Sequence, residues 1–135
     1  MTIHQMREEV FRIIFGLDFH EGEDIDGLVE QYMQDSCDQK VSGREHRMIA
    51  EKAAAIGRML PQLDAEINEV ARGWKTNRMG RAELNILRLA VYEIRHDTSV
   101  PAKVAVNEAV ELAKEYCSPD APGFINGLLA GFVTE

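Results

Sequence analysis

Glu93-Ile94-Arg95-His96 sets a carboxylate and an imidazole three residues apart, the spacing with which helical di-iron bundles hold their metals. Such a bundle needs a second motif of this kind and two further helix-borne glutamates. The sequence places only one well, so the motif reads as a solvated helix end. Asp24-Ile25-Asp26-Gly27 resembles the start of a calcium loop, but its glycine comes too early and no glutamate stands at the twelfth loop position, so a helix cap fits better. The other histidines (His4, His20 and His46) are scattered. Cys37 and Cys117 have no close cysteine or histidine at ligand spacing and read as reduced thiols. There is no glycine-rich phosphate loop followed by Lys-Ser/Thr, and no HExxH. Adjacent acids such as Glu8-Glu9 face different directions on a helix. No nucleophile has a base at recognisable spacing. These residues predict a binding protein, not an enzyme, with no cofactor and no metal.

Charge supplies the positive signal. The net charge of −8 argues at first against nucleic acid, but the average hides an asymmetry. Ile13 to Gln39 holds eight acids and no Lys or Arg. Arg72 to Lys103 holds seven basic residues, Arg72, Lys75, Arg78, Arg81, Arg88, Arg95 and Lys103, against three acids. That segment carries +4 and the remainder −12. A local basic surface on an acidic protein is therefore possible.

The elements that must position these residues are all helical, since every strong periodicity is near 3.6 and none is near two. Met6, Val10, Phe11, Ile14 and Leu17 mark a first helix over about 4–19, with a loop over 20–24. Ile25, Leu28, Val29 and Tyr32 mark a second, to about Asp35. Ser42 with Glu45 fits a capping box that opens a third. Pro61 either kinks that helix or begins the next, which runs to Ala71 and ends at Gly73. Trp74 to Gly80 is a short connection. The helix over 81–96 is apolar nearly all round, with one polar line, Arg81, Asn85, Arg88, Tyr92 and Arg95, facing water or a partner. Val100-Pro101 opens a helix with Val106, Ala109, Val110, Ala113 and Tyr116 inward. Ser118-Pro119-Asp120 is a turn. The last helix, 121–133, carries Gly123, Gly127 and Gly131 at four-residue spacing. The return on their helix cost is close approach of another helix, and a second copy of the chain is one occupant that face permits. The expectation is one all-α domain, 1–135, of six or seven helices and no sheet. No apolar run is long enough to span a bilayer, and Met1 to Arg12 lacks the layout of a signal peptide, so a cytoplasmic location is expected.

Three blocks then follow in order: Leu87-Arg88-Leu89-Ala90-Val91-Tyr92-Glu93, Val100-Pro101-Ala102-Lys103-Val104-Ala105-Val106-Asn107-Glu108-Ala109-Val110-Glu111-Leu112-Ala113-Lys114, and Asp120 with Phe124-Ile125-Asn126-Gly127-Leu128-Leu129. In order and spacing they resemble the NusB family of bacterial transcription antitermination factors, over about 50 residues. Trp74 resembles the family's tryptophan before this region. The first 70 residues match mainly in helix layout. The resemblance implies about seven helices in two small bundles. It implies binding of boxA RNA of ribosomal leader transcripts together with NusE, a small-subunit ribosomal protein, and entry into the elongating RNA polymerase complex. It implies no catalysis.

The resemblance also implies site residues. Family members open with an arginine-rich run; Arg7-Glu8 matches its end, while His4 and Gln5 stand at preceding basic positions. With the cations of the Arg72–Lys103 segment added from the charge pattern, the RNA-binding set is His4, Gln5, Arg7, Lys75, Arg78, Arg81 and Lys103, with Lys103 either on phosphate or solvated. Glu83 and Asp120 match acidic positions near the expected partner surface. Arg88 is expected in a structural salt bridge with an acid on a neighbouring helix. Asn126-Gly127 is expected to pack. Trp74 and Tyr92 are expected mostly buried, and the acidic stretch 18–38 solvated. The alternatives are the RNA-binding module of an RNA cytosine methyltransferase, which continuation beyond Glu135 would favour, and a helical oligomerisation domain.

Overall fold

The first helix begins at a device the hydrophobic pattern did not reveal. The Thr2 side chain accepts from the Gln5 N–H at 3.0 Å, and the Gln5 side-chain carbonyl accepts from the Thr2 N–H at 2.9 Å. Two orphan donors of the first turn are thus satisfied reciprocally. The computed structural model describes residues 2–18, 24–36, 42–71 and 75–133, and only the backbone at 35 and 36. The loop expected over 20–24, the helix stop at Gly73, Arg72, Trp74 and Cys37 fall wholly or almost wholly outside the described residues. Among these, the chain forms seven α-helices and a short 3-10 turn, with no strand. It divides into two compact units, Met1–Met59 and Leu60–Glu135.

The first unit holds α1 (Ile3–Leu17), α2 (Ile25–Ser36) and α3 (Gly43–Arg58). Ser42 and Glu45 form the expected capping box at the start of α3, at 3.1 and 3.2 Å. Val10, Phe11, Ile13, Ile14 and Leu17 of α1 pack with Val29 and Met33 of α2 and with Ile49, Ala53 and Ile56 of α3. Each fully buried side chain of this size contributes roughly 1.5–3 kcal/mol. Gly16 lets α1 and α2 meet, because a Cβ there would stand 2.6 Å from the Tyr32 ring. On the outer side Arg58 pairs with Asp26, and His46 lies 3.5 Å from Glu30.

The second unit holds α4 (Leu60–Ala71), the 3-10 turn (Thr76–Arg78), α5 (Arg81–His96), α6 (Ala102–Tyr116) and α7 (Ala121–Val133). Pro61 is the second residue of α4, where its missing N–H has no helical partner to lose. Helix α5 is central: Leu84, Ile86, Leu87, Leu89, Ala90 and Val91 are all buried, and it packs against α4, α6 and α7. The buried face of α6 is Ala105, Ala109, Leu112 and Ala113; the expected inward Tyr116 is exposed at the helix end. Helix α7 buries Ala121, Ile125, Leu128, Leu129 and Phe132, while Val133 is exposed. Of the three α7 glycines, only Gly131 answers to close approach. A Cβ there would meet Val70 Cγ1 of α4 at 2.6 Å, whereas Gly123 and Gly127 have nothing within 4 Å.

Candidate nucleic-acid interface

The middle of the α5 polar line does not face water. Asn85 is 0% and Arg88 4% exposed, because α4 supplies a matching acidic line. Arg88 donates from Nε and Nη2 to the two oxygens of Asp64, both at 2.7 Å, and from Nη1 to Asn85 Oδ1 at 3.0 Å. Asn85 in turn donates to the Arg81 carbonyl at 2.9 Å. Two turns further on, Arg95 reaches Glu66 at 3.4 Å and lies 4.6 Å from the centre of the Phe132 ring. His96 meets the same Glu66 carboxylate at 3.0 Å, so this histidine of the ExxH pattern is engaged with a carboxylate across the unit. Arg88 is thus the structural ion pair expected of it. Two of the seven basic residues of the Arg72–Lys103 segment are spent inside the unit.

Lys75, Arg78 and Arg81 are spent differently. All three are exposed. Lys75 caps the 3-10 turn and Arg78 closes it, with the Arg78 N–H donating to the Lys75 carbonyl at 2.9 Å. The turn is docked on α4 by the Asn68 side chain, whose carbonyl accepts from the Thr76 N–H at 2.9 Å. Gly80 then caps α5 and Arg81 is its first residue. The positive end of the α5 dipole adds to these three cations. The result is a basic end of the unit, built from one turn and one helix start.

Lys103 is exposed but does not join them. Helix α5 has 16 residues, a length of about 24 Å. Helix α6 runs back along it after the turn at Asp97–Pro101, so Lys103, in the first turn of α6, sits at the far end of α5 from Arg81. A cluster continuous in sequence is therefore divided by the helix it contains. The Cys117–Glu83 interaction marks the same antiparallel return. Burial, and secondarily the Glu83 carboxylate, push the Cys117 thiol up to about 11. Half-buried Glu83 and the Ser118–Asp120 turn, with Asp120 exposed, thus belong to the basic end. Tyr92 is half-buried, and burial followed by Asp97 raises its hydroxyl pKa. Asn126 and Gly127 are exposed instead of packed, and Asn126 borders a shallow groove of about 580 Å³ with Asn107, Glu111 and Lys114.

In the first unit the expected contacts change character. Arg7 is only 6% exposed, so its side chain is packed against its neighbours. Gln5 is exposed, but its amide carbonyl is committed to the Thr2 cap. His4 is half-buried. Residue type suggested a cationic helix start; the structure adds that Arg7 is packed and that Gln5 takes part in the cap. The Thr2-x-x-Gln5 spacing was a readable capping signal. Asn68 had no such signal, since its partner is a backbone group eight residues away.

Comparison with known proteins decides the family. The NusB family model matches residues 4–134.

The chain belongs to the NusB family.

The transcription antitermination protein NusB of Agathobacter rectalis is 42% identical over 132 residues, 98% of this chain and 99% of that protein. The NusB protein of Lachnoclostridium phytofermentans is 40% identical over 130 residues, covering 96% and 97%. Among solved structures, T. maritima NusB superposes with a TM-score of 0.87 at 27% identity, covering 100% of this chain and 92% of that one. A chain from a crystal structure of the antitermination factors NusB and NusE in complex with dsRNA shares the fold at a TM-score of 0.82 and 21% identity, covering 99% and 98%. The all-helical NusB architecture expected from the three sequence blocks is thus the observed one.

Proposed function

We propose that the chain is a transcription antitermination factor that binds boxA RNA together with a NusE-type ribosomal protein and joins the elongating RNA polymerase complex. The observation that carries this reading is the end-to-end relation to proteins named for antitermination, 42% identical over 98% of the chain. The fold neighbour described with NusE and dsRNA supports the choice of ligands. The factor acts as an adaptor without catalysis, in the cytoplasm where transcription occurs; among the described residues no helix is long and apolar enough to cross a membrane.

Lys75, Arg78 and Arg81 are the leading RNA contacts, because they are exposed and gathered at one end of α5. They neutralise backbone phosphates and release counterions, which gives affinity without sequence preference. Lys103 and His4 are secondary contacts. Glu83 and Asp120 are assigned to the NusE-type partner, which supplies the remaining affinity. The test is fluorescence anisotropy with boxA RNA, with and without NusE, at low salt. Binding that tightens when NusE is added supports the reading; no binding in either case overturns it.

A further inference from the structure

We infer that Asn68 is a positioning residue for RNA binding: by holding the Thr76 N–H it fixes the turn that presents Lys75 and Arg78. The inference rests on the RNA-binding reading of the basic end. A three-residue 3-10 turn is a weak structure by itself. It contains two backbone hydrogen bonds, Arg78 N–H to Lys75 carbonyl at 2.9 Å and Met79 N–H to Thr76 carbonyl at 3.2 Å. Isolated single turns are marginal because nucleation fixes several dihedrals for each bond gained. Lys75, at the cap position, makes no side-chain capping bond. The first N–H of the turn is satisfied from another element, by Asn68 Oδ1 of α4 at 2.9 Å. That bond ties the turn to a helix whose Leu63, Ile67 and Ala71 are buried in the core.

The consequence for the cations follows from geometry. The Arg78–Lys75 bond brings their Cα atoms to turn distance, within about 7 Å, so both side chains leave the same small surface. Held there, they reach neighbouring phosphates with their backbones already ordered. Released, the turn samples other conformations, and the ordering cost is charged to binding. Asn68 does not need to touch RNA to matter. It is itself exposed, so water competes for its bond and the effect is bounded.

The test is boxA RNA anisotropy with NusE present, on the full chain, with Asn68→Ala, the pair Lys75→Ala/Arg78→Ala, and all three combined. Loss of one such hydrogen bond predicts that Asn68→Ala weakens binding about threefold to tenfold, without lowering the melting temperature. In the Lys75→Ala/Arg78→Ala background the same substitution changes affinity less than about twofold, because nothing is left to position. Asn68→Asp keeps the acceptor, so amide exchange at Thr76 should stay as slow as in the unsubstituted chain, and it should speed up in Asn68→Ala. Unchanged affinity in Asn68→Ala overturns the inference while the RNA reading stands. Equal losses in both backgrounds also overturn it, since Asn68 then acts independently of the cations. If Lys75→Ala/Arg78→Ala binds as tightly as the unsubstituted chain, the basic turn is not a contact and the inference falls with it. If the unsubstituted chain does not bind, the functional reading itself is overturned.

Discussion

Arg88 and Asp64 form a two-pronged ion pair, Nε to Oδ1 and Nη2 to Oδ2, both at 2.7 Å, between the central helix α5 and α4. The guanidinium is buried and the carboxylate about three-quarters so. Removing one partner strands the other charge, which costs more than the pair gains. Asp64→Ala should therefore destabilise the protein by about 2–3 kcal/mol in urea unfolding, below the full buried-pair figure because Asp64 retains some solvent. The double substitution Asp64→Leu/Arg88→Met should cost less than Asp64→Ala alone. A double variant less stable than the single would remove the stranded-charge explanation.

The three glycines of α7 should respond in opposite directions to the same change. Gly123→Ala and Gly127→Ala add a methyl group to open space and should each raise stability by about 0.4–1 kcal/mol through helix propensity and a less flexible unfolded chain. Gly131→Ala drives a methyl group into Val70 and should lower stability by about 1 kcal/mol net. Thermal melts of the three variants check this. Equal shifts in all three would show that α7 does not pack against Val70 as described.

Cys117 should be an unreactive thiol. With its pKa pushed up to about 11 from the usual 9.0, chiefly by burial and then by Glu83, the thiolate fraction at pH 8 falls roughly a hundredfold. In a Cys37→Ser chain, alkylation at pH 8 should be correspondingly slow, and Glu83→Gln should speed it modestly. The linkage has a definite sign. A raised folded pKa means that folding disfavours the thiolate, so the contribution is intact below pH 9 and is lost as the pH rises from about 9 to about 11. Alkylation at the rate of a free cysteine would contradict this environment.

Salt dependence separates surface cations from buried ones. Lys75→Ala, Arg78→Ala and Arg81→Ala should each weaken RNA binding and reduce the slope of log affinity against log salt by about 0.7–0.9. Arg7→Ala should instead lower the melting temperature and leave the slope in place, since Arg7 is 6% exposed. A reduced slope for Arg7→Ala with unchanged stability would restore it to the RNA surface.

Legibility in the sequence depended on distance along the chain. Helix bounds set by local signals were readable: α5 at 81–96 and α7 at 121–133 fall where periodicity put them, and the Ser42–Glu45 cap is present. The need of Arg88 for an acid was also readable, but Asp64, 24 residues away, was not. The basic end was legible in part. Composition grouped Lys75, Arg78, Arg81 and Lys103, yet charge counting cannot see that α5 separates Lys103 from the others. The burial of Arg7 was not readable for a related reason. An arginine suggests a surface, while burial is set by packing that residue type does not report.

Antitermination can itself be measured. The direct measurement is transcription by RNA polymerase on a template carrying boxA upstream of a terminator, with NusE present and this chain added or omitted. The read-through fraction should rise when the chain is added, depend on boxA, and fall back for Lys75→Ala/Arg78→Ala/Arg81→Ala. Read-through that is unchanged by the chain, or that rises equally without boxA, would contradict the proposed function.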